Sequence, residues 1–275
     1  MACVSITSCN EGVYIQMNDS FQVLCATMHQ KDFSKIKEMN ISSDILYANQ
    51  SDSTWYVKTC IDKYSAEMIT THTRGLANNR NILLMYATAD ICLLADDDVT
   101  YYEGYKDKIM SAFGRHPEAD MIIFNLDSNS SDRKIEKIPV ERKMRFWNRN
   151  PYGSVRVAFR LKSQKKYNIW FNNLLGTGAR YGSGEDTLFI NEFRKKGNVY
   201  LCCENLGKVD FSHSTWFFGY DETYFFNQGA KVFALGKRPK WIWFVYYALK
   251  ISRNNINFRK RIQLLQKGYK SYFKL

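Results

Sequence analysis

ICLLADDD, residues 91–98, decides how the chain is read. Five apolar residues followed at once by three aspartates match a buried strand that ends where a sheet meets solvent. In open α/β sheets the carboxyl ends of such strands are where ligands bind. Three adjacent carboxylates repel one another, and the cluster is stable mainly when a cation or a polar ligand offsets that repulsion. All-oxygen ligation suits a hard ion such as Mg2+ or Mn2+, which can also hold a diphosphate. The competing reading is a solvated acidic turn. The position of Asp96, Asp97 and Asp98 directly behind ICLLA points instead to a site.

The flanking sequence repeats the same kind of unit. Residues 21–28 (FQVLCATM) are apolar and β-prone, and the polar stretch behind them, with Lys31, Asp32 and Lys35, suits a helix. Residues 44–48 (DILYA) read as a second buried strand, with residues 49–52 (NQSD) as the loop that ends it. A helix over 76–87 leads into 91–95, and another over about 105–113 leads to 121–124 (MIIF). This alternation predicts a mostly parallel α/β sheet with helices on both faces. Residues 127–150 are polar and aperiodic, a long connection of the kind that is commonly functional. Residues 154–161 (SVRVAFRL) alternate like a half-exposed strand, and further elements run on to Val209 and Phe211. Gly176, Gly182 and Gly184 predict a tight turn that delivers Glu185 and Asp186 into a site.

RGLANNRN (residues 74–81), followed by ATADICLLADDD (87–98), resembles glycosyltransferase family 2. GTGARYGSGEDT (176–187) is similar to the acidic motif that precedes that family's acceptor helix. With the first two strands, the resemblance covers about residues 21–215, and it rests on the order, spacing and strand context of the motifs together. It implies a Rossmann-like GT-A fold and an inverting transfer of sugar from a nucleoside-diphosphate sugar, with UDP-sugars favoured. The acceptor would be a hydroxyl of a glycan or lipid-linked molecule in surface polysaccharide biosynthesis, since many relatives extend such polymers on polyprenyl-diphosphate carriers.

Carried over residue by residue, the resemblance makes Asp96 a contact to ribose or diphosphate and Asp97 the principal ligand of Mn2+ or Mg2+, with Asp98 adjoining. The metal would neutralise charge on the departing nucleoside diphosphate. Asp186 would be the general base toward the acceptor hydroxyl, with Glu185 and partial burial raising its pKa; the alternative is an acidic first turn favoured by the helix dipole. Thr27, Asn49, Arg74 and Arg80 complete the expected nucleotide-sugar contacts. Asn49 stands where an Asp often holds the base and has the alternative of an ordinary turn residue. The two arginines flank Gly75, where their planar cations suit a diphosphate, and an exposed helix-start charge is the rival reading of Arg74. His213 resembles a position where some GT-A enzymes place a further metal ligand, a structural histidine being the alternative. The first strand ends in ATMHQ (26–30), without the proline usual in the family.

The charge of +12 lies wholly in one place. No acidic residue follows Glu222, and twelve basic ones occur from Lys231 onward, so the body is neutral and the tail strongly basic. This divides the chain into an extension (1–20), a GT-A catalytic domain (21–230) and a basic aromatic appendage (231–275). Residues 241–249 (WIWFVYYAL) are too few to span a bilayer but have the composition of an interfacial segment. Beyond them, Phe258, Ile262, Leu265, Tyr269 and Tyr272 recur at helical spacing, with Arg259, Lys260, Lys267, Lys270 and Lys274 largely on another face. An anionic membrane surface is the expected partner, with packing on the catalytic domain as the alternative. Seven scattered cysteines without a CxxC, and a first twenty residues carrying Glu11 and Asp19, favour a reduced cytoplasmic setting, peripheral on the inner face of the membrane. Two other classes compete: a nucleic-acid-binding protein using the tail, and a metal-dependent nucleotidyltransferase. The latter would be expected to carry a glycine-rich phosphate loop near its first strand, where ATMHQKD (26–32) has no glycine.

Overall fold

The computed structural model describes residues 19–129, 135–145, 151–211, 219–251 and 256–274. The order of elements begins β1 (Phe21–Met28), a short α1 (Lys35–Glu38), β2 (Asp44–Gln50), β3 (Trp55–Ile61), β4 (Tyr64–Thr71), α2 (Leu76–Tyr86), β5 (Ile91–Asp96) and β6 (Val99–Tyr101). It continues with α3 (Tyr105–Arg115), β7 (Met121–Ser128), β8 (Arg142–Lys143), β9 (Val157–Arg160), α4 (Leu161–Tyr167), α5 (Glu185–Lys196) and β10 (Val199–Val209). Three helices follow: α6 (Glu222–Ala234), α7 (Lys240–Lys250) and α8 (Phe258–Phe273).

Among the described residues the strands form one ten-stranded sheet in the order β3-β4-β2-β1-β5-β9-β7-β10-β6, with β8 on β10. The block β4-β2-β1-β5 is parallel, and so is the pair β7-β10. The register pairs Thr27 with Asn49 and Ala26 with Asp96, so the carboxyl ends of β1, β2 and β5 open onto the same rim. Side chains alternate across this sheet. Val23, Tyr47, Leu93 and Phe124 join a core on the α3 face, while Leu24, Leu94 and Phe159 join one with Leu83, Phe189 and Phe193 of α2 and α5 on the other.

The structure revises several expected boundaries. β2 continues through Asn49 and Gln50, read above as loop, because β4 pairs with it to the end. Antiparallel β3 and β4 form a hairpin that adds the sheet's edge. The alternation of 154–161 is real, yet β9 is buried throughout, antiparallel between β5 and β7. The arginines of this stretch, Arg156 in the turn just before β9 and Arg160 at its end, are buried too, and their guanidinium groups are hydrogen-bonded. Arg156 donates to the carbonyl of Phe124 at 2.6 Å and to that of Glu136 at 3.0 Å, and Arg160 pairs with Asp19 at 2.7 Å. The long connection is shorter than expected, since β7 runs to Ser128 and β8 lies within it.

The division at residue 231 falls inside α6. This helix belongs with α7 and α8 around Phe225, Phe244, Ala248 and Leu265, so the helical unit starts near Glu222. A methyl group on Gly229 would overlap the Leu265 carbonyl, and one on Gly268 the Phe226 carbonyl, so α6 and α8 cross at backbone contact. Arg261, counted above among the tail's charges, is buried: it donates to the carbonyls of Ile256, Ala248 and Ile251 at 2.6, 2.7 and 2.5 Å and so ties α8 to the end of α7. The unit is fastened to the body through Tyr181, Leu175 and Ala230, with Asn172 donating to the Tyr272 hydroxyl at 2.8 Å.

Candidate active site

Arg80 organises the rim. The second turn of α2 carries it inward, and α2 is held to the sheet by Asn79, whose amide donates to the carbonyls of Thr27 at 3.1 Å and Ala48 at 2.7 Å. The α2 N-terminus is fixed by Gln50, which accepts from the Gly75 N–H at 2.9 Å, and by the Leu76 N–H, which donates to the Thr177 carbonyl at 3.0 Å. The Arg80 guanidinium then reaches both oxygens of Asp96 at 3.1 Å, Asp186 Oδ1 at 2.7 Å and Glu185 Oε1 at 3.6 Å. Burial opposes its charge, and the three carboxylates more than offset this, leaving its pKa above the ordinary value. The expectation of a cation open to a diphosphate does not fit a side chain 3% exposed and already committed to three acids; Arg80 instead joins the two acidic motifs into one cluster.

The three aspartates face different surroundings. Asp96 ends β5 and takes Arg80; burial raises its pKa while Arg80 draws it back. Asp97 accepts a hydrogen bond from the Thr27 hydroxyl. Asp98 has a buried Oδ1 without a hydrogen-bond partner, and burial, then Asp96 and Asp97, push its pKa up to about 7. An orphaned carboxylate oxygen beside two further carboxylates is a donor set suited to a hard divalent ion. Among the described residues no group of three or more His, Cys, Asp and Glu side chains is arranged to hold a metal. His213 lies outside the described residues.

Glu185 and Asp186 form the first turn of α5, behind Gly184 in the left-handed region at φ 119°. Gly176, at φ 107°, lets the Glu185 carboxyl lie against the backbone, since a Cβ there would stand 2.8 Å from its Cδ. Burial, then repulsion from Asp186, push Glu185 up to about 7, with Arg80 and Lys231 opposing. Asp186 divides its oxygens: Oδ1 takes Arg80, and Oδ2 accepts the Ser154 N–H at 3.1 Å.

Asn49 and Arg74 lie to the side of this cluster. Asn49 is fully buried, with both amide hydrogens committed to the Gln30 carbonyl at 2.9 Å and the Thr70 hydroxyl at 3.0 Å, while its oxygen accepts the Gln30 N–H at 3.0 Å. It shapes the loop after β1 from within. Arg74 is exposed, pairs with Asp52 and donates to the carbonyls of Ser51 and His72. Between the loops after β1 and β2 lies a cleft of about 390 Å3, lined by His29, Gln30, Lys31, Ser51, Ser53 and Trp55. The sequence reading missed Gln50, Asn79 and Ser154 as supports. The first two stand beside recognised positions, whereas Ser154 acts through its backbone and leaves no trace in residue type.

The fold and the paired acidic motifs are those of a sugar-transferring enzyme, and comparison with known proteins agrees. The profile of Glycosyl transferase family 2 matches residues 46–180. Residues 46–180 thus carry a Glycosyl transferase family 2 domain, and the chain is a glycosyltransferase. No curated protein sequence matches it. Among solved structures it is similar to S. aureus TarS 1-349 in complex with UDP-GlcNAc, at 13% identity and a TM-score of 0.58 over 93% of this chain and 73% of that one. The same protein in complex with UDP matches at 13% identity and a TM-score of 0.55, over 93% and 72%. These likenesses, at low identity, are likenesses of fold. Glycosyl transfer thus takes the place of the nucleotidyl-transfer alternative.

Proposed function

We propose that the chain is an inverting glycosyltransferase that moves a sugar from a nucleoside diphosphate, with UDP favoured, to a hydroxyl of a glycan or lipid-linked acceptor in surface polysaccharide synthesis. The observation that carries this reading is the bridge of Arg80 between Asp96 and Asp186, which holds a donor-side and an acceptor-side carboxylate on one cation. The base of the nucleotide enters the cleft between the loops after β1 and β2. The complexes of TarS with UDP-GlcNAc and UDP support the choice of nucleotide.

Asp186 takes the proton of the acceptor hydroxyl as its oxygen attacks the anomeric carbon, and the bond from that carbon to the diphosphate breaks on the opposite side, inverting the centre. The Ser154 N–H and Arg80 hold the two Asp186 oxygens, so the base is oriented before the acceptor arrives. Asp97 and Asp98 would hold Mn2+ or Mg2+, which neutralises charge on the leaving diphosphate when bound; the orphaned Oδ1 of Asp98 supports this assignment. His213 remains a proposed further ligand.

The helical unit is proposed to seat the enzyme on the inner, anionic face of the cytoplasmic membrane. No described helix is long and apolar enough to cross one. α7 presents Trp241, Ile242, Val245, Tyr246 and Leu249 to solvent as one stripe, and Arg238, Lys240 and Lys250 beside it are exposed. Aromatic residues beside basic ones suit the headgroup level.

The test of the catalytic reading is Asp186→Asn. Donor binding, followed as thermal stabilisation by UDP-, GDP-, CMP- and dTDP-sugars with and without Mn2+, should persist with UDP-sugars giving the largest shift. Transfer to acceptor should fall by about 10² to 10⁴. Near-normal turnover would place the base elsewhere.

A further inference from the structure

Helix α6 lies along the back of the glycine loop that launches α5. The Asn227 amide stands 3.1 Å from where a Cβ on Gly182 would be, and one turn later the Cδ, Cγ and Cε of Lys231 stand 3.1, 3.2 and 3.4 Å from where one on Gly184 would be. Between them, Ala230 packs with Leu175 and Tyr181. The Lys231 stem therefore lies across the residue directly before Glu185 and Asp186. Among the described residues its ammonium takes part in no ion pair or hydrogen bond.

Packing alone would be served better by an apolar side chain, because a half-buried lysine gives up part of its hydration without gaining a direct partner. The offset available here is attraction through space. Arg80 divides one positive charge among Asp96, Glu185 and Asp186, so this part of the site carries three acids and one base. Lys231 supplies a second cation.

We propose that Lys231 is a positioning residue, carried to the site by the helical unit, whose charge keeps the Glu185–Asp186 pair ionised ahead of the acceptor. The proposal rests on Asp186 being the base. The charged groups facing Lys231 are Glu185 and Asp186 on α5, which favour its cation, and Lys250 on α7 and Lys237 beyond α6, which oppose it. Arg80 on α2 and Asp96 on β5 act on the carboxylate pair itself. Burial pulls the Lys231 pKa below its ordinary value, and the two carboxylates work to restore it. A base must be deprotonated to act, so losing the cation makes the pair hold its proton to higher pH.

The experiment is the pH dependence of kcat/KM for Lys231→Met and Lys231→Arg in the full chain, with Asp186→Asn in parallel. Lys231→Met should move the acid limb up by about one pH unit, a loss of about tenfold near pH 6 that shrinks as pH rises above 8. Lys231→Arg should keep the parent limb. A loss of equal size at every pH, or an unmoved limb, overturns the proposal. Should Met disrupt folding, Lys231→Gln gives the same reading with a polar stem; if only the Arg variant folds, the cation is structural and the proposal fails. Normal turnover by Asp186→Asn would sink the base assignment itself, whereas an inactive Asp186→Asn beside an unmoved Lys231→Met limb would sink only this one.

Discussion

Arg80 satisfies Asp96 and the Thr27 hydroxyl reaches Asp97, but neither reaches Asp98, whose Oδ1 is buried without a partner. The consequence shows in stability. An Asp98 pKa of about 7 lies above the ordinary carboxylate value, so its protonated form suits the fold. The stability it contributes is full below about pH 4 and is lost as pH rises through about 7. In ligand-free protein Asp98→Asn should therefore exceed the parent by about 1–2 kcal/mol at pH 8, a value discounted for the partial exposure of the group, with the gap closing toward pH 4. Urea midpoints at the two pH values measure this, and a gap independent of pH would mean that the charge is not the cost. The residue types at the site were legible because three acids behind five apolar residues have few other uses. Their division of labour was not: it depends on Arg80 being drawn inward by α2, whereas a sequence shows only a cation beside a glycine. Asn49 has the same lesson, since an amide fitted for a base edge fits the Gln30 backbone equally well.

At the scale of elements, β1, α2, β5 and α3 could be read from the chain, since apolar runs and helical periodicity there agree with the burial they receive. β9 and the turn that leads into it defeated the same reasoning. Alternation predicts one wet face only if polar residues need water, and Arg156 and Arg160 find carbonyls and a carboxylate instead. The β3–β4 hairpin was illegible for a different reason: β3 is largely exposed and carries no apolar run to mark it. α6 was cut by a boundary drawn on charge, which begins at Lys231, while the apolar face of the helix begins a few residues earlier with Phe225. The crossing of α6 and α8 makes a sharp prediction. Gly268→Ala places a methyl group on the Phe226 carbonyl, and backbone cannot give way as a flexible side chain can. The expected loss is at least the 1–3 kcal/mol typical of overpacking. It should be visible as a lower melting temperature of the full chain; an unchanged melt would show that the helices slide apart freely.

For the whole molecule, the basic tail has separate tasks. Arg261 is internal and Lys231 lies against the turn that carries Glu185 and Asp186, so neither counts toward a membrane, while Arg259, Lys267, Lys270 and Lys274 are exposed. Each basic residue near an anionic surface contributes about 1 kcal/mol. Replacing these four with Gln should sharply reduce pelleting with vesicles containing anionic lipid, and moderate salt should weaken the parent's attachment by screening. Donor hydrolysis in solution should persist, because none of the four lies at the carboxylate rim. Equal pelleting on neutral vesicles would instead make the unit a structural cover. The contact of α6 with Gly182 and Gly184 also bears on how such a chain could be recombined. A graft joined after β10 that brought helices from another enzyme would set foreign side chains against a turn left bare for these ones. A transplant of the sheet and its motifs alone would strip that turn of its backing. Exchange of parts would therefore have to carry the glycine loop and its helices together, as a single heritable piece, even though they look separable when the sequence is written out as a line.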